Sequence, residues 1–167
     1  MAAAALHWWT PLFNSWPVTA LGLLSLFAVH RLTEARDRRK ATSTALFEID
    51  KLLDTIGTVA RSAWTDACQY KRHAAAVETV ARIQILAAAC QRLKRMTSPS
   101  LISDYFWPFT LIDLGADVKL LRKTITEDPF TIPGHAIDKT KMAEVEGAIA
   151  VFRGQLVQAF DAFGSTI

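Results

Sequence analysis

The sequence predicts an all-α protein: an N-terminal transmembrane helix followed by an antiparallel four-helix-bundle-like domain. Three observations carry this. Pro11 to His30 is apolar and holds no Lys, Arg, Asp or Glu. After Lys40 the apolar residues recur at alternating steps of three and four, the spacing of a helix face. No stretch sustains the period-two alternation of a half-buried strand.

Residues 1–10 are expected to be a short external N-terminus and 11–30 the transmembrane helix. Thr10 can cap that helix with Pro11 at its first position, where a missing N–H costs nothing. From there to His30 the rise is about 30 Å at ~1.5 Å per residue, enough for the hydrocarbon core. Trp8 and Trp9 would then lie at the outer interface, where indoles prefer to sit. Asn14 and Pro17 oppose the assignment, and a helix that began at Pro17 would be short for a full span. An interfacial or re-entrant segment is the competing reading. A cleaved signal peptide carries a positive n-region, and Met1 to Trp9 hold no basic side chain. A buried core helix would explain neither the Trp cluster nor the abrupt basic boundary.

Residues 31–40 form a basic juxtamembrane segment. Five of the 19 lysines and arginines lie here, namely Arg31, Arg36, Arg38, Arg39 and Lys40, beside Glu34 and Asp37. All nearby basic residues follow the apolar stretch, so residues 41–167 are expected in the cytoplasm, at the plasma membrane. The same five side chains are the expected contacts for lipid headgroups. Outside this segment acids and bases balance, so the net charge of +3 reflects the flank and no nucleic-acid partner is expected.

The cytoplasmic part reads as four amphipathic segments. Leu46, Ile49, Leu53, Ile56, Ala60, Ala63 and Ala67 give the first seam, with Asp50, Lys51, Asp54 and Arg61 on the opposite face. No proline occurs between Pro17 and Pro99, so the helix leaving the membrane can run on without a break. Ala76, Val80, Ile83, Ala87 and Cys90 give the second seam, broadened by Val77, Leu86, Ala89 and Leu93. The turn between them is placed at Gln69 to His73, with one continuous helix as the alternative. Ser98 before Pro99 closes the second helix. Pro108 is expected to open a third, with Leu111, Leu114, Val118, Leu121 and Ile125 inward. Asp128 to Gly134 reads as a loop whose Phe130 and Ile132 fold back on the bundle. The last helix runs from about Asp138 to Phe163 on Met142, Val145, Ile149, Phe152, Leu156, Ala159 and Phe163. Short connections between four such segments favour an antiparallel bundle. Pairing of the first seam with a second copy as a coiled coil is the alternative.

Motifs for chemistry are missing. His7, His30, His73 and His135 are scattered and form no HExxH, and no phosphate-binding glycine loop or GxSxG elbow occurs. No cofactor or metal is expected. Cys68 and Cys90 make no CxxC pair and are read as buried free thiols. Gly115 and Gly147 are read as points of close helix contact. Tyr105, Phe106, Trp107 and Phe109 form the densest aromatic cluster and are the candidate partner surface.

The boundary AVHRLTEARDRRKA resembles the membrane exit of small bacterial single-pass proteins. The segment LRKTITEDPF and the ending LVQAFDAF are similar to the C-terminal half of uncharacterised bacterial and prophage-associated proteins of that kind. Arg122, Ile125, Thr126, Asp128 and Phe130 carry the likeness, and Pro129 departs from it. That group has no established activity to carry over. The expectation is a membrane-anchored helical protein, not an enzyme. It would act by protein–protein interaction or self-association at the cytoplasmic face, its partners being the bilayer and a membrane or cytosolic protein. The alternative is a membrane-perturbing or signalling effector of the phage-exclusion or toxin kind.

Overall fold

A computed structural model resolves four helices: α1 (Thr10–Thr65), α2 (Gln69–Thr97), α3 (Gly115–Thr126) and α4 (Lys139–Gly164). It describes residues 10–98, 111–126 and 138–164, with the backbone alone for 10–16 and 163–164. All regular structure among the described residues is helical. The chain falls into two compact units, Met1–Lys40 and Ala41–Ile167.

In the second unit four helices pack together around one core. Each contributes a buried seam with strict alternation of three- and four-residue steps. In α1 it runs Thr42, Leu46, Ile49, Leu53, Ile56, Ala60, Ala63. In α3 it is Leu114, Val118, Leu121, Ile125, and in α4 Met142, Val145, Ile149, Phe152, Leu156. A repeat of 3.5 residues keeps one face turned to its neighbours along the whole helix, which suits near-parallel packing of long helices. Cross-helix pairs give the directions. Arg61 of α1 meets Glu146 of α4 at 2.6 Å, while Arg153 reaches back to Asp50 at 3.1 Å and to Asp54. Numbers fall on α1 as they rise on α4, so these two helices are antiparallel. Asp50, Asp54 and Arg61, read from the sequence as a solvent face, therefore flank the seat of α4.

The α1–α2 turn lies earlier than the sequence suggests. Asp66 to Cys68 make it, and Gln69 to His73 form the first turns of α2. Asp66 Oδ1 accepts the Cys68 N–H at 2.9 Å, an Asx turn that does the work of a glycine. Arg72 secures it: its Nη1 donates to the Asp66 carbonyl at 2.7 Å and the Ala67 carbonyl at 3.3 Å, with the side chain only 9% exposed. Ala67, assigned to the first seam from spacing, is exposed in the turn. Replacing Arg72 by Ala leaves two carbonyls without their donor. A loss of about 1 kcal/mol in urea unfolding is expected, the net worth of a hydrogen bond, since both carbonyls are only partly buried and can turn to water.

The α2 seam is Arg72, Ala76, Thr79, Ile83, Leu86, Cys90, Leu93, Thr97, rotated from the predicted one. Val80 and Ala87 are half-buried at its edge and Val77 is exposed. Apolar residues surround much of this helix, so spacing alone offers two adjacent stripes. Thr79 tolerates full burial because its Oγ1 donates to the Ala75 carbonyl at 2.7 Å. Helix α2 stops at Thr97 with Ser98 extended (φ −66°, ψ 133°), as the following proline requires.

Helix α3 starts at Gly115, so Leu111 and Ile112 precede it and Leu111 is exposed. Two bonds hold this entry. Ile112 N–H donates to Thr97 Oγ1 at 3.2 Å, which buries Ile112 against the end of α2. Asp113 Oδ1 accepts the Gly115 N–H at 3.0 Å. Pro108, the predicted start, lies outside the described residues, as does the predicted loop plug of Phe130 and Ile132. Helix α4 opens as expected: Asp138 Oδ1 accepts the Lys141 N–H at 2.9 Å, an N-cap. The Asp138 N–H also donates to the Trp64 carbonyl at 3.3 Å, pinning the start of α4 to the end of α1.

The close helix contact is at Gly57, where a Cβ would stand 3.3 Å from Ile149 Cδ1. Gly147, assigned that role from sequence, faces open space, as does Gly154. Gly115 adjoins its own capping carboxylate. Gly147→Ala and Gly154→Ala should each stabilise the bundle by about 0.5–1 kcal/mol, the difference in helix propensity, measured as a rise in the urea midpoint.

Candidate membrane interface

Helix α1 continues through Pro17 without interruption, beginning well before it, and so includes the whole predicted span. Pro17, the eighth residue of the helix, has no N–H for the carbonyl four residues earlier, so one backbone hydrogen bond of the helix is missing there. Within Pro17–Thr65 a stretch near the N-terminus is long and apolar enough to cross a membrane, and none of it is buried. Val18, Leu21, Leu23, Leu24, Leu26, Phe27, Val29 and Leu32 are all more than half exposed. They point in every direction around the helix. Two of its hydroxyls bond to their own helix: Ser25 Oγ donates to the Gly22 carbonyl at 2.8 Å and Thr33 Oγ1 to the Val29 carbonyl at 2.9 Å.

The basic flank is less free than its composition suggests. Arg31 lies over the Phe27 ring, 5.6 Å from its centroid, and its Nη1 donates to Glu34 at 3.4 Å. Arg38 Nη2 donates to the other Glu34 oxygen at 2.6 Å. One carboxylate thus holds two of the five cations. These pairs, the Arg38 hydrogen bond first, keep the Glu34 carboxyl below its ordinary range. Because the folded value is lowered, the stabilisation is present at neutral pH and disappears as pH falls through the lowered value. Arg36 and Lys40 are exposed and Arg39 is half-buried. Glu34→Gln removes one negative charge from beside Arg31 and Arg38. The full-length chain should then prefer phosphatidylglycerol over phosphatidylcholine vesicles about fivefold more strongly at low salt, from about 1 kcal/mol per charge near the surface.

The second predicted site, Tyr105, Phe106, Trp107 and Phe109, lies outside the described residues, as do Trp8 and Trp9. The two cysteines differ. Cys68 is exposed at the start of α2, contrary to the sequence expectation, because the turn falls where the first seam was expected to continue through Ala67. Cys90 is buried, and burial first, then Asp117 and Asp113, pushes its thiol up to about 12. It stays protonated and unreactive at neutral pH. Among the described residues no three His, Cys, Asp or Glu side chains come together as a metal-holding group. No family model, curated protein or solved structure matches the chain.

Proposed function

We propose that this is a single-pass, membrane-anchored helical protein with residues 1–10 outside, residues 11–30 in the bilayer of the inner membrane and residues 41–167 in the cytoplasm. It acts there by binding another protein or a second copy of itself. The observation that carries the reading is the uniformly exposed apolar surface of α1 beside a basic flank. Transferring seven of those side chains, Val18 to Val29 within residues 11–30, from water to lipid contributes on the order of ten kcal/mol, enough for stable insertion. The basic flank sets the orientation.

Four measurements test this. The full-length chain should remain in the membrane pellet after alkaline carbonate. Cys68, being exposed, serves as a topology reporter: an impermeant maleimide should label it in inside-out vesicles and leave it unlabelled in intact cells. Labelling in intact cells reverses the orientation. In-cell crosslinking with the anchor intact should yield a discrete adduct, either with a dimer of the chain or with one partner. Loss of membrane potential on expression, with no adduct, would instead favour a membrane-perturbing effector.

A further inference from the structure

A cleft of about 350 Å³ opens between α2 and α3, within the 41–167 unit. Its floor is apolar, made by Ile83, Ala87 and Cys90 of α2 and Val118 of α3, buried or half-buried. Its rim is polar and exposed. Gln84 and Gln91 stand two turns apart on one face of α2, opposite Lys119 and Arg122 of α3. The two helices run antiparallel here, so Lys94 and Asp113 share one end of the cleft while Gln84 and Arg122 share the other.

The two ends are electrostatically unequal. Asp113 is the one acid among the described lining residues, and both its oxygens are engaged: Oδ2 by Lys94 Nζ at 2.5 Å, Oδ1 by the Gly115 N–H at 3.0 Å. Lys119 stands between the two ends, within electrostatic reach of Asp113, and Arg122 lies towards the other end with Gln84. Lys94, Lys119 and Arg122 against the one acid leave the described lining net positive. An apolar trough closed by a cationic, amide-bearing mouth is complementary to a molecule with a hydrocarbon body and a negative head. The trough is of small-molecule size and too small for an added helix.

We propose that this cleft binds an amphipathic anion, its alkyl chain on Ile83, Ala87, Cys90 and Val118 and its carboxylate or phosphate between Lys119 and Arg122. The anion comes either as a free alkyl acid or as a membrane phospholipid. The inference is independent of the anchor, since every residue used lies beyond Lys40.

The test follows the methyl resonances of Ile83 and Val118 in the full-length chain in phosphatidylcholine nanodiscs, or in buffer should it prove soluble. Decanoate, decyl phosphate and decanol are titrated in turn. Saturable shifts at both residues are expected for the two anions, with decanol at least tenfold weaker. The double variant Lys119→Gln, Arg122→Gln should weaken decanoate at least tenfold and leave decanol unchanged. Both side chains are exposed, so the variant should keep the wild-type circular dichroism and melting midpoint. Shifts that appear on changing the discs to phosphatidylglycerol, with nothing added, identify a membrane lipid as the source. Equal binding of decanol and decanoate, no saturable shift with any of the three, or shifts with an acidic peptide alone would overturn the proposal.

Discussion

Leu21→Arg combined with Leu24→Arg is expected to release the chain from the membrane. Both side chains lie near the middle of the apolar stretch and are about two-thirds exposed, at 66% and 64%. An arginine at the centre of a spanning helix costs about 2.5–3.5 kcal/mol on insertion scales, so the pair costs about 5–7 kcal/mol. That is comparable to the gain from the remaining apolar residues and changes partition by more than a thousandfold. The variant should appear in the carbonate supernatant with the helical content of its bundle intact. The two substitutions lie in the unit 1–40, and neither residue is a member of the core. A double variant that still pellets would place the anchor elsewhere. A variant that loses both the membrane and its bundle would mean that α1 is needed within the fold rather than for attachment.

Phe152→Ala should destabilise the bundle by about 3–5 kcal/mol, the cost of emptying a large aromatic site in a close-packed core. Phe152 is 1% exposed and is among the largest fully buried side chains of the chain. Its neighbours in the α4 seam, Ile149 and Leu156, are anchored on long helices that cannot collapse far into the space. For a domain of this size the melting midpoint should fall by roughly 10–15 °C. Val157→Ala on the same helix is the control. It is 56% exposed and should change stability by no more than about 0.5 kcal/mol. An equal effect of the two would mean that the α4 seam faces another way.

The limits of sequence reading show at particular residues. The α1 and α4 seams were legible because their apolar residues form one narrow stripe against a polar background. On α2 the stripe was ambiguous, since Val77, Val80, Ile83, Ile85 and Leu86 leave little polar surface to mark the outside. Arg72 and Thr79 in the core were not legible at all. Spacing arguments count apolar residues, and both positions are polar groups made tolerable by local bonds to backbone carbonyls. The α1–α2 turn was misplaced for the same reason: Asp66 to Cys68 hold neither glycine nor proline, and an Asx bond with a buried arginine makes the break. The basic flank could be counted from the sequence, but not how Glu34 divides its carboxylate between Arg31 and Arg38. The α2–α3 cleft was invisible, because its two walls are about thirty residues apart in the chain and meet only in antiparallel packing.

Composition and periodicity, which are properties of neighbouring residues along one helix, were enough to determine that this chain is helical, where its apolar N-terminal stretch ends and which faces of α1, α3 and α4 are buried. Which helix lies against which, where α2 begins, which glycine is the point of contact and which carboxylate pairs with which cation were decided only by the tertiary structure. Those outcomes depend on bonds and contacts between residues far apart in sequence, and their energies are set by the geometry that the packed chain alone supplies.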